Sequence, residues 1–308
     1  MNPLLPELDK ALSAPALRHI QSILVAQAGE LTLERYFRDR RARDLSNVHS
    51  VTKSVLATLV GIAVANRSLT LATTVGDVFD LEPLRQDERK QEISVEHLLT
   101  MTSGLAAQTP YDIDEIADRG ESWVQGPIAA PLQVRPGRTF IYNNGAAHVL
   151  GVLVSRATGM PLARFADEHL FGPLAIDEYR WPTDPEGNHL GFGHLELRPR
   201  DLLRLGQLYL DGGKFGHSSI VPGSFIAAAT KTQSSGGPPE GMPYGYLWWV
   251  AQDAGPSFFA GGYGGQYLTV VPEHALVVVT TGDVDAFIES SRNLRRLVAE
   301  VVVPALAW

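Results

Sequence analysis

Residues that favour β-strands are concentrated near both ends of this chain, and this distribution restricts the folds open to it more than any other feature. Two runs near the start, Ile20 to Gln27 and Leu31 to Tyr36, are separated by Ala28-Gly29-Glu30 and predict a hairpin. A second zone near the end predicts strands at Tyr246 to Ala251, Ser257 to Ala260, Gln266 to Val271 and Leu276 to Thr281, then a helix from about Phe287 to Val303.

The middle of the chain has the residue spacing of helices instead. Helical patterns cover Val51 to Asn66, Val95 to Met101, Ala146 to Thr158, Pro161 to Leu170 and Asp201 to Leu210. Strands at both ends with helices between them favour an α/β (α+β) fold, in which both chain ends form one antiparallel sheet flanked by helices. We expect a discontinuous sheet domain of residues 1–66 and 231–308, and an inserted mainly helical domain of residues 67–230.

Composition excludes several classes of function. A net charge of −8 gives no broad basic surface, so nucleic acid and acidic membranes are not expected partners. The chain has no cysteine and no H-E-x-x-H pattern, and we expect neither a metal nor another cofactor. Residues 1–15 lack the apolar core of a signal peptide, and the longest apolar run, Val55 to Ala65, is too short to cross a bilayer. We therefore predict a cytoplasmic protein.

The tetrapeptide Ser50-Val51-Thr52-Lys53 opens an apolar stretch in which Lys53 is the only charged residue between Val51 and Asn66. Residues three apart are neighbours on a helix, so Lys53 would lie on the same side as Ser50. Burial disfavours the charged ammonium, and a neutral amine can take the proton of a serine hydroxyl. The alternative is that Ser50 caps the helix while Lys53 extends to the surface, and the spacing alone does not decide between them.

A second motif, Tyr142-Asn143-Asn144, precedes the apolar helix that starts near Ala146. A loop at a helix start can direct a phenol and an amide into a cleft, where Tyr142 relays protons and Asn144 binds a substrate carbonyl. The alternative is that Asn144 only caps the helix while Tyr142 packs.

A third motif runs from Ala260 to Gln266 as Ala-Gly-Gly-Tyr-Gly-Gly-Gln, between two predicted strands. Glycines let a strand edge lie against a substrate, so that backbone N–H groups face a developing oxyanion. A phosphate-binding loop is excluded because no helix pattern follows and no G-K-[ST] occurs. A tight turn or bulge is the alternative.

These three motifs, in this order, resemble the serine β-lactamase and penicillin-binding protein superfamily, which uses S-x-x-K, then Y-x-N or S-D-N, then K-T-G. The segments His49 to Ser54, Leu98 to Leu105 and Tyr209 to Gly213 look like its class C branch, especially the 6-aminohexanoate-dimer hydrolase and esterase group. The resemblance covers the chain from about Ile20 to Thr281.

The resemblance implies roles for individual residues. Ser50 is then the acyl-forming nucleophile, Lys53 its base and Tyr142 the proton relay. The oxyanion hole is implied to consist of the backbone N–H groups of Ser50 and Tyr263. The implied substrate contacts are Asn144, Tyr111, Gly262 and Gly264.

One position departs from the family pattern. The third motif usually begins with Lys or His, but Ala260 stands there in this chain. An alanine cannot replace the charge-assisted bond that holds a substrate carboxylate. We therefore predict a serine hydrolase that cleaves a small carboxylic ester or a linear amide. The alternatives are a β-lactamase or D-amino-acid peptidase on the same scaffold, or a catalytically silent ligand-binding member.

Overall fold

The computed structural model describes residues 4–107, 113, 116, 118–253, 255–285 and 291–306. Its strands are β1 (Ile20–Gln27), β2 (Glu30–Tyr36), β3 (Ser46–Asn47), β4 (Glu196–Leu197), β5 (Lys214–Phe215), β6 (Ser218–Ser219), β7 (Ser234–Gly237), β8 (Met242–Tyr244), β9 (Trp249–Ala251), β10 (Ser257–Gly262), β11 (Gln266–Val271) and β12 (Leu276–Gly282). Its α-helices are Leu4–Leu12, Thr52–Ala65, Val75–Val78, Glu82–Gln86, Val95–Leu99, Gln125–Ala129, Asn144–Thr158, Leu162–Ala166, Pro199–Leu210, Gly223–Ala229, Ser291–Leu297 and Val303–Leu306.

Both chain ends contribute to one eight-stranded sheet, in the order β2-β1-β12-β11-β10-β9-β8-β7. The first strand of the β zone near the start of the chain pairs directly with the last strand of the β zone near the end. These strands, β1 and β12, are antiparallel, and Val25 lies opposite Val278. The neighbouring pair of β11 and β12 is antiparallel as well. The predicted fold class is confirmed, whereas the predicted domain boundaries at 66/67 and 230/231 stay predictions.

One face of the sheet is covered by the helix Pro199–Leu210, which packs against β1, β11 and β12. The approach is close at Gly206, where a β-carbon would lie 2.4 Å from Cγ1 of Val277 and 2.7 Å from Cδ1 of Leu268. Such contacts leave no room for a side chain, so glycine allows the helix to rest directly on the sheet.

The helix Thr52–Ala65, called the Thr52 helix below, lies in the interior. Its residues 52 to 63 are all buried, including Lys53. It contacts the helix Asn144–Thr158, called the Asn144 helix below. An amphipathic pattern is absent because the Thr52 helix is enclosed on every side, which is typical of a core helix.

Most predicted elements are found, but the structure also differs from the prediction. The strands β7 and β8, which extend the sheet, were not predicted, and the helix predicted from about Phe287 begins at Ser291 in the described residues. The segment predicted as a strand from Tyr246 is a strand only at Trp249–Ala251, because Leu247 has a φ of +55° and donates its N–H to the carbonyl of Leu99. A helix at Leu4–Leu12 was not expected. Within the described part of the chain, no helix is long and apolar enough to cross a membrane.

Candidate active site

The Ser50 turn lies where the loop after β3 enters the Thr52 helix. His49–Val51 form a single 3₁₀ turn, and His49 has a φ of +47°. The Asn47 Oδ1 atom accepts the N–H of His49 at 2.9 Å, while the Thr52 hydroxyl donates to the His49 carbonyl at 2.6 Å. These bonds hold a left-handed backbone conformation that is uncommon for a residue with a side chain. The turn places half-buried Ser50 on the wall of a cavity.

Lys53 is 1% exposed and lies one turn after Ser50. Its Nζ atom is 2.9 Å from Oγ of Ser50 and donates a 2.6 Å hydrogen bond to the carbonyl of Phe192. Burial lowers the pKa of the Lys53 ammonium well below its usual value. The alternative of an ammonium that extends to the surface does not describe this side chain.

The ring of Tyr142 lies close to the amine of Lys53. The Lys53 Nζ atom is 5.0 Å from the centre of its ring, and the ring stacks on Trp249 at 5.9 Å with an angle of 14° between the planes. Tyr142 and Trp249 both line the cavity. The stacked indole fixes the plane of the phenol beside Ser50 and Lys53.

The two adjacent asparagines have different roles. Asn143 caps the Asn144 helix, since its Oδ1 atom accepts the N–H of Ala146 at 2.8 Å. Asn144 therefore does not cap the helix, and its side chain lines the cavity. Its buried Oδ1 atom has no hydrogen-bond partner among the described residues. Because a buried amide normally has a partner, this side chain is suited to binding a substrate.

The glycine-rich strand end completes the wall. Gly261, Gly262 and Tyr263 line the cavity, and a β-carbon at Gly262 would lie 2.4 Å from the carbonyl oxygen of Val48. Only a glycine lets β10 lie this close to the Ser50 turn, which brings the backbone of Tyr263 to the same wall as Ser50. Tyr263 itself is 46% exposed, and its ring lies 5.9 Å from that of His49.

Two predicted contacts are not placed at the cavity. Gly264 has a φ of +77° and its α-carbon faces Val284, and it is not among the described residues that line the cavity. Tyr111 lies outside the described residues. Both assignments stay predictions.

The cavity has a volume of about 380 Å³. Its lining includes residues that the sequence analysis did not single out for the site: His49, Phe192, Gly193, His194, Pro239, Glu240 and Trp249. The carboxylate of Glu240 accepts a 3.2 Å hydrogen bond from the hydroxyl of Tyr267. Burial, followed by His194 and Lys53, lowers the pKa of His49 to about 4, so this ring is uncharged at neutral pH. Among the described lining residues, Glu240 carries the one carboxyl group.

The family model described as Beta-lactamase matches residues 21–302. The chain belongs to that family. It is part of the β-lactamase/transpeptidase-like superfamily, whose relatives include hydrolases.

Individual relatives give further detail. Esterase EstB from Burkholderia gladioli is 32% identical over 168 residues, which cover 50% of this chain and 43% of EstB. The match thus spans less than half of that relative's length. A Bacillus anthracis structure assigned as a 6-aminohexanoate-dimer hydrolase aligns with a TM-score of 0.80 at 19% identity, covering 99% of this chain and 82% of its own. EstCE1, a hydrolase with promiscuous acyltransferase activity, aligns with a TM-score of 0.77 at 17% identity and covers 99% of both chains.

Proposed function

We propose that this protein is a serine hydrolase that cleaves a small carboxylic ester or a linear amide through an acyl-Ser50 intermediate. The observation that carries the proposal is the 2.9 Å contact between Nζ of Lys53 and Oγ of Ser50, with the amine buried and its pKa lowered. A neutral amine at that distance can act as a general base, because geometry and protonation state are both suitable.

In the acylation step, the lone pair of Lys53 takes the proton of the Ser50 hydroxyl while Oγ attacks the substrate carbonyl carbon. The backbone N–H groups of Ser50 and Tyr263 would stabilise the oxyanion that forms. Tyr142 would pass a proton to the leaving alcohol or amine, and the acyl group would stay on Ser50. Water then attacks the ester bond of the acyl-enzyme, activated by Tyr142, Lys53 or both, and releases the acid.

The lining of the cavity supports a substrate without a carboxylate. The third motif begins with Ala260, which is 1% exposed and has no positive charge that could bind a substrate carboxylate. Glu240 lines the same cavity, and its carboxylate would repel a carboxylate of the substrate. The aromatic rings of Tyr142, Phe192 and Trp249 suit an apolar acyl or alkyl group. A β-lactamase or D-amino-acid peptidase is therefore the less favoured alternative.

The name of the relative EstB supports an ester substrate. The structure assigned as an aminohexanoate-dimer hydrolase supports a linear amide, although that dimer carries a carboxylate and so does not share the expected lack of one. The proposed partner is a small ester or amide, with no nucleic acid and no membrane. The cytoplasmic location stays a prediction from the sequence.

The proposal is tested with Ser50→Ala, using a fluorophosphonate probe read by intact mass and three substrates: a nitrophenyl ester, an aminohexanoate dimer and a chromogenic cephalosporin. We expect one adduct on the wild type, none on Ser50→Ala, and turnover of the ester or the dimer only by the wild type. The circular dichroism spectrum should be unchanged by the substitution, because Ser50 is only half-buried.

Ser54→Ala is the matched control. Ser54 lies one turn further along the same helix, and its hydroxyl donates to the Leu247 carbonyl at 2.7 Å, away from the cavity. This variant should keep the adduct and the turnover. An adduct of equal yield on Ser50→Ala would overturn the proposal. Preferential cephalosporin hydrolysis would favour the β-lactamase alternative, and labelling without any turnover would favour a silent binding protein.

A further inference from the structure

A histidine and an aspartate form a buried pair behind the catalytic cavity. Both side chains are 0% exposed, and Nε2 of His148 lies 2.9 Å from Oδ2 of Asp184. His148 is on the Asn144 helix, one turn after Asn144. Buried charged or polar pairs cost free energy to desolvate, so this pair needs an explanation.

Asp184 organises the loop that contains it. Its Oδ1 atom accepts the backbone N–H groups of Glu186 and Asn188, each at 2.8 Å, and its Oδ2 atom also accepts Nδ2 of Asn188 at 2.9 Å. Burial alone would raise the pKa of the Asp184 carboxyl, but the hydrogen bonds from His148 and Asn188 outweigh it and hold the pKa at about 2. The group is therefore an ionised acceptor at neutral pH.

The hydrogen bonds also fix the tautomer of His148. The backbone N–H of Gly191 donates to Nδ1 of His148 at 3.4 Å. Nδ1 must then be the unprotonated nitrogen, and the proton is on Nε2, where it is donated to Asp184. The loop is pressed onto the helix at this point, because a β-carbon at Gly191 would lie 2.5 Å from the carbonyl oxygen of Ala147.

The next residue after Gly191 reaches the catalytic amine. The carbonyl of Phe192 accepts the 2.6 Å hydrogen bond from Nζ of Lys53, and its ring packs edge-on against His148 with 6.0 Å between ring centres. The neutral amine has two N–H bonds and one lone pair. A carbonyl that accepts one N–H from a fixed direction restricts the lone pair to the two remaining tetrahedral positions, and the Ser50 hydroxyl occupies one of these directions.

We propose that His148 and Asp184 are positioning residues, which hold the Phe192 carbonyl in place and thereby direct the lone pair of Lys53 at Oγ of Ser50. The inference rests on the proposed function, in which Lys53 is the base. Neither His148 nor Asp184 contacts the substrate in this proposal. The path from Asp184 through His148, Gly191 and Phe192 to Lys53 consists entirely of contacts between buried groups.

Asp184→Asn tests the inference with almost no change in shape. Because Oδ1 accepts two backbone N–H groups, the oxygen of the new amide must stay there, and its NH₂ group must replace Oδ2 and face His148. The same NH₂ group also faces Nδ2 of Asn188, so the Asn188 amide has to turn and present its oxygen. Nε2 of His148 then has to accept, which moves the ring proton to Nδ1, opposite the N–H of Gly191. The N–H of Nδ1 of His148 and the backbone N–H of Gly191 then face each other as two donors, so the segment that contains Phe192 has to shift.

We expect a fall in kcat and in the rate of burst-phase acylation of about 10- to 100-fold, with KM nearly unchanged, because the base and not the substrate site is displaced. ¹⁵N NMR of the imidazole should report the change of tautomer. The acid limb of the pH profile of kcat/KM should also move, since Lys53 loses its carbonyl partner. The other groups that face Lys53 are His49, Ser50 and Tyr142, and none of them is altered.

Thr281→Val is the matched control, because it removes another buried hydrogen bond, 2.6 Å between the hydroxyls of Ser22 and Thr281 in the sheet. It should lower Tm to a similar degree and leave kcat and the pH profile unchanged. If Asp184→Asn does not fold, Asn188→Ala removes one donor from Asp184 and should give a smaller fall in kcat.

The result that overturns the inference is a variant with lower Tm but wild-type kcat and pH profile, while the wild type still forms acyl-Ser50. If the wild type forms no acyl-Ser50 at all, it is the proposed function that fails. The two failures are therefore distinguishable in the same set of measurements.

Discussion

Two lysines are buried in this protein, and their surroundings differ. Lys53 and Lys90 are 1% and 5% exposed, and burial lowers the pKa of each. Lys90 donates to the carbonyls of Ile128 and Ala129, at 2.8 and 3.1 Å, where the helix Gln125–Ala129 ends. Lys53 donates to one carbonyl only, and its other close neighbour is a serine hydroxyl.

On the proposed function, in which only Lys53 is a base, the difference implies that burial alone does not make a lysine a base. The end of a helix carries partial negative charge, which stabilises an ammonium, and Asp87 also favours the charged form of Lys90. Among the described residues no such charge acts on Lys53, for which desolvation is the cause of the shift in pKa. A lysine acts as a base only where its surroundings leave the amine neutral and a hydroxyl lies within reach.

The largest effect is expected from removing each amine in turn. Lys53→Met should lower kcat/KM for the preferred ester by about 10²- to 10⁴-fold, the usual contribution of general-base catalysis. Lys90→Met should change kcat/KM by less than about 3-fold, while costing about 1–3 kcal/mol in the free energy of unfolding for the hydrogen bonds it loses. Steady-state kinetics and urea unfolding measure the two quantities. Equal losses of activity in both variants would refute the comparison.

A second difference should appear in the pH dependence of stability. The pKa of Lys53 is lowered in the folded protein, whereas a lysine in the unfolded chain has a pKa of about 10.4. At any pH between these two values the unfolded chain binds more protons than the folded protein. Stability therefore rises with pH in this window, by up to about 1.4 kcal/mol per pH unit. Lys53→Met should remove that slope, and Lys90→Met should remove a smaller one.

Urea unfolding of the wild type and both variants at several pH values between neutral and about 10 tests this expectation. The informative quantity is the difference between each variant and the wild type, because other titrating groups cancel in it. If the curves for Lys53→Met and the wild type run parallel across the window, the Lys53 amine is already charged in the folded protein.

The smallest effect concerns a carboxyl group at the cavity. Glu240 lines the same cavity as Ser50, and Glu240→Gln should raise kcat/KM for a carboxylate-bearing ester, relative to a neutral ester, by about 2- to 5-fold. Glu96→Gln is the control, because Glu96 also accepts a tyrosine hydroxyl, from Tyr246 at 2.7 Å, but is not among the described cavity residues. An unchanged ratio in Glu240→Gln would remove this residue from substrate selection.

The sequence predicted the parts of the protein that depend on local patterns. The strand Gln266–Val271 was predicted with its observed bounds, because a run of β-favouring residues lies between a glycine-rich turn and a proline. The short spacing from Ser50 to Lys53 predicted that the two residues lie on the same side, but it did not decide between a contact and a Lys53 that extends to the surface. The structure has the contact, at 2.9 Å.

Contacts between distant segments could not be predicted in the same way. The bond from Lys53 to Phe192 and the pair of His148 with Asp184 join residues far apart in the chain and follow no periodic pattern. Asn143 and Asn144 are chemically identical neighbours, and only the backbone entering the helix determines which one caps it. Glu240 reaches the cavity on the turn between β7 and β8, whose position depends on the assembled sheet.

The close contact between Gly262 and the carbonyl of Val48 has a consequence for how the protein is made. A ribosome synthesises Ser50 long before the strand that closes its site, and the carbonyl of Phe192 also emerges later. On the proposed function, the growing polypeptide would carry a serine of ordinary reactivity until both segments have been translated and docked. The order of the residues along the chain would then prevent acylation of Ser50 before the site is complete.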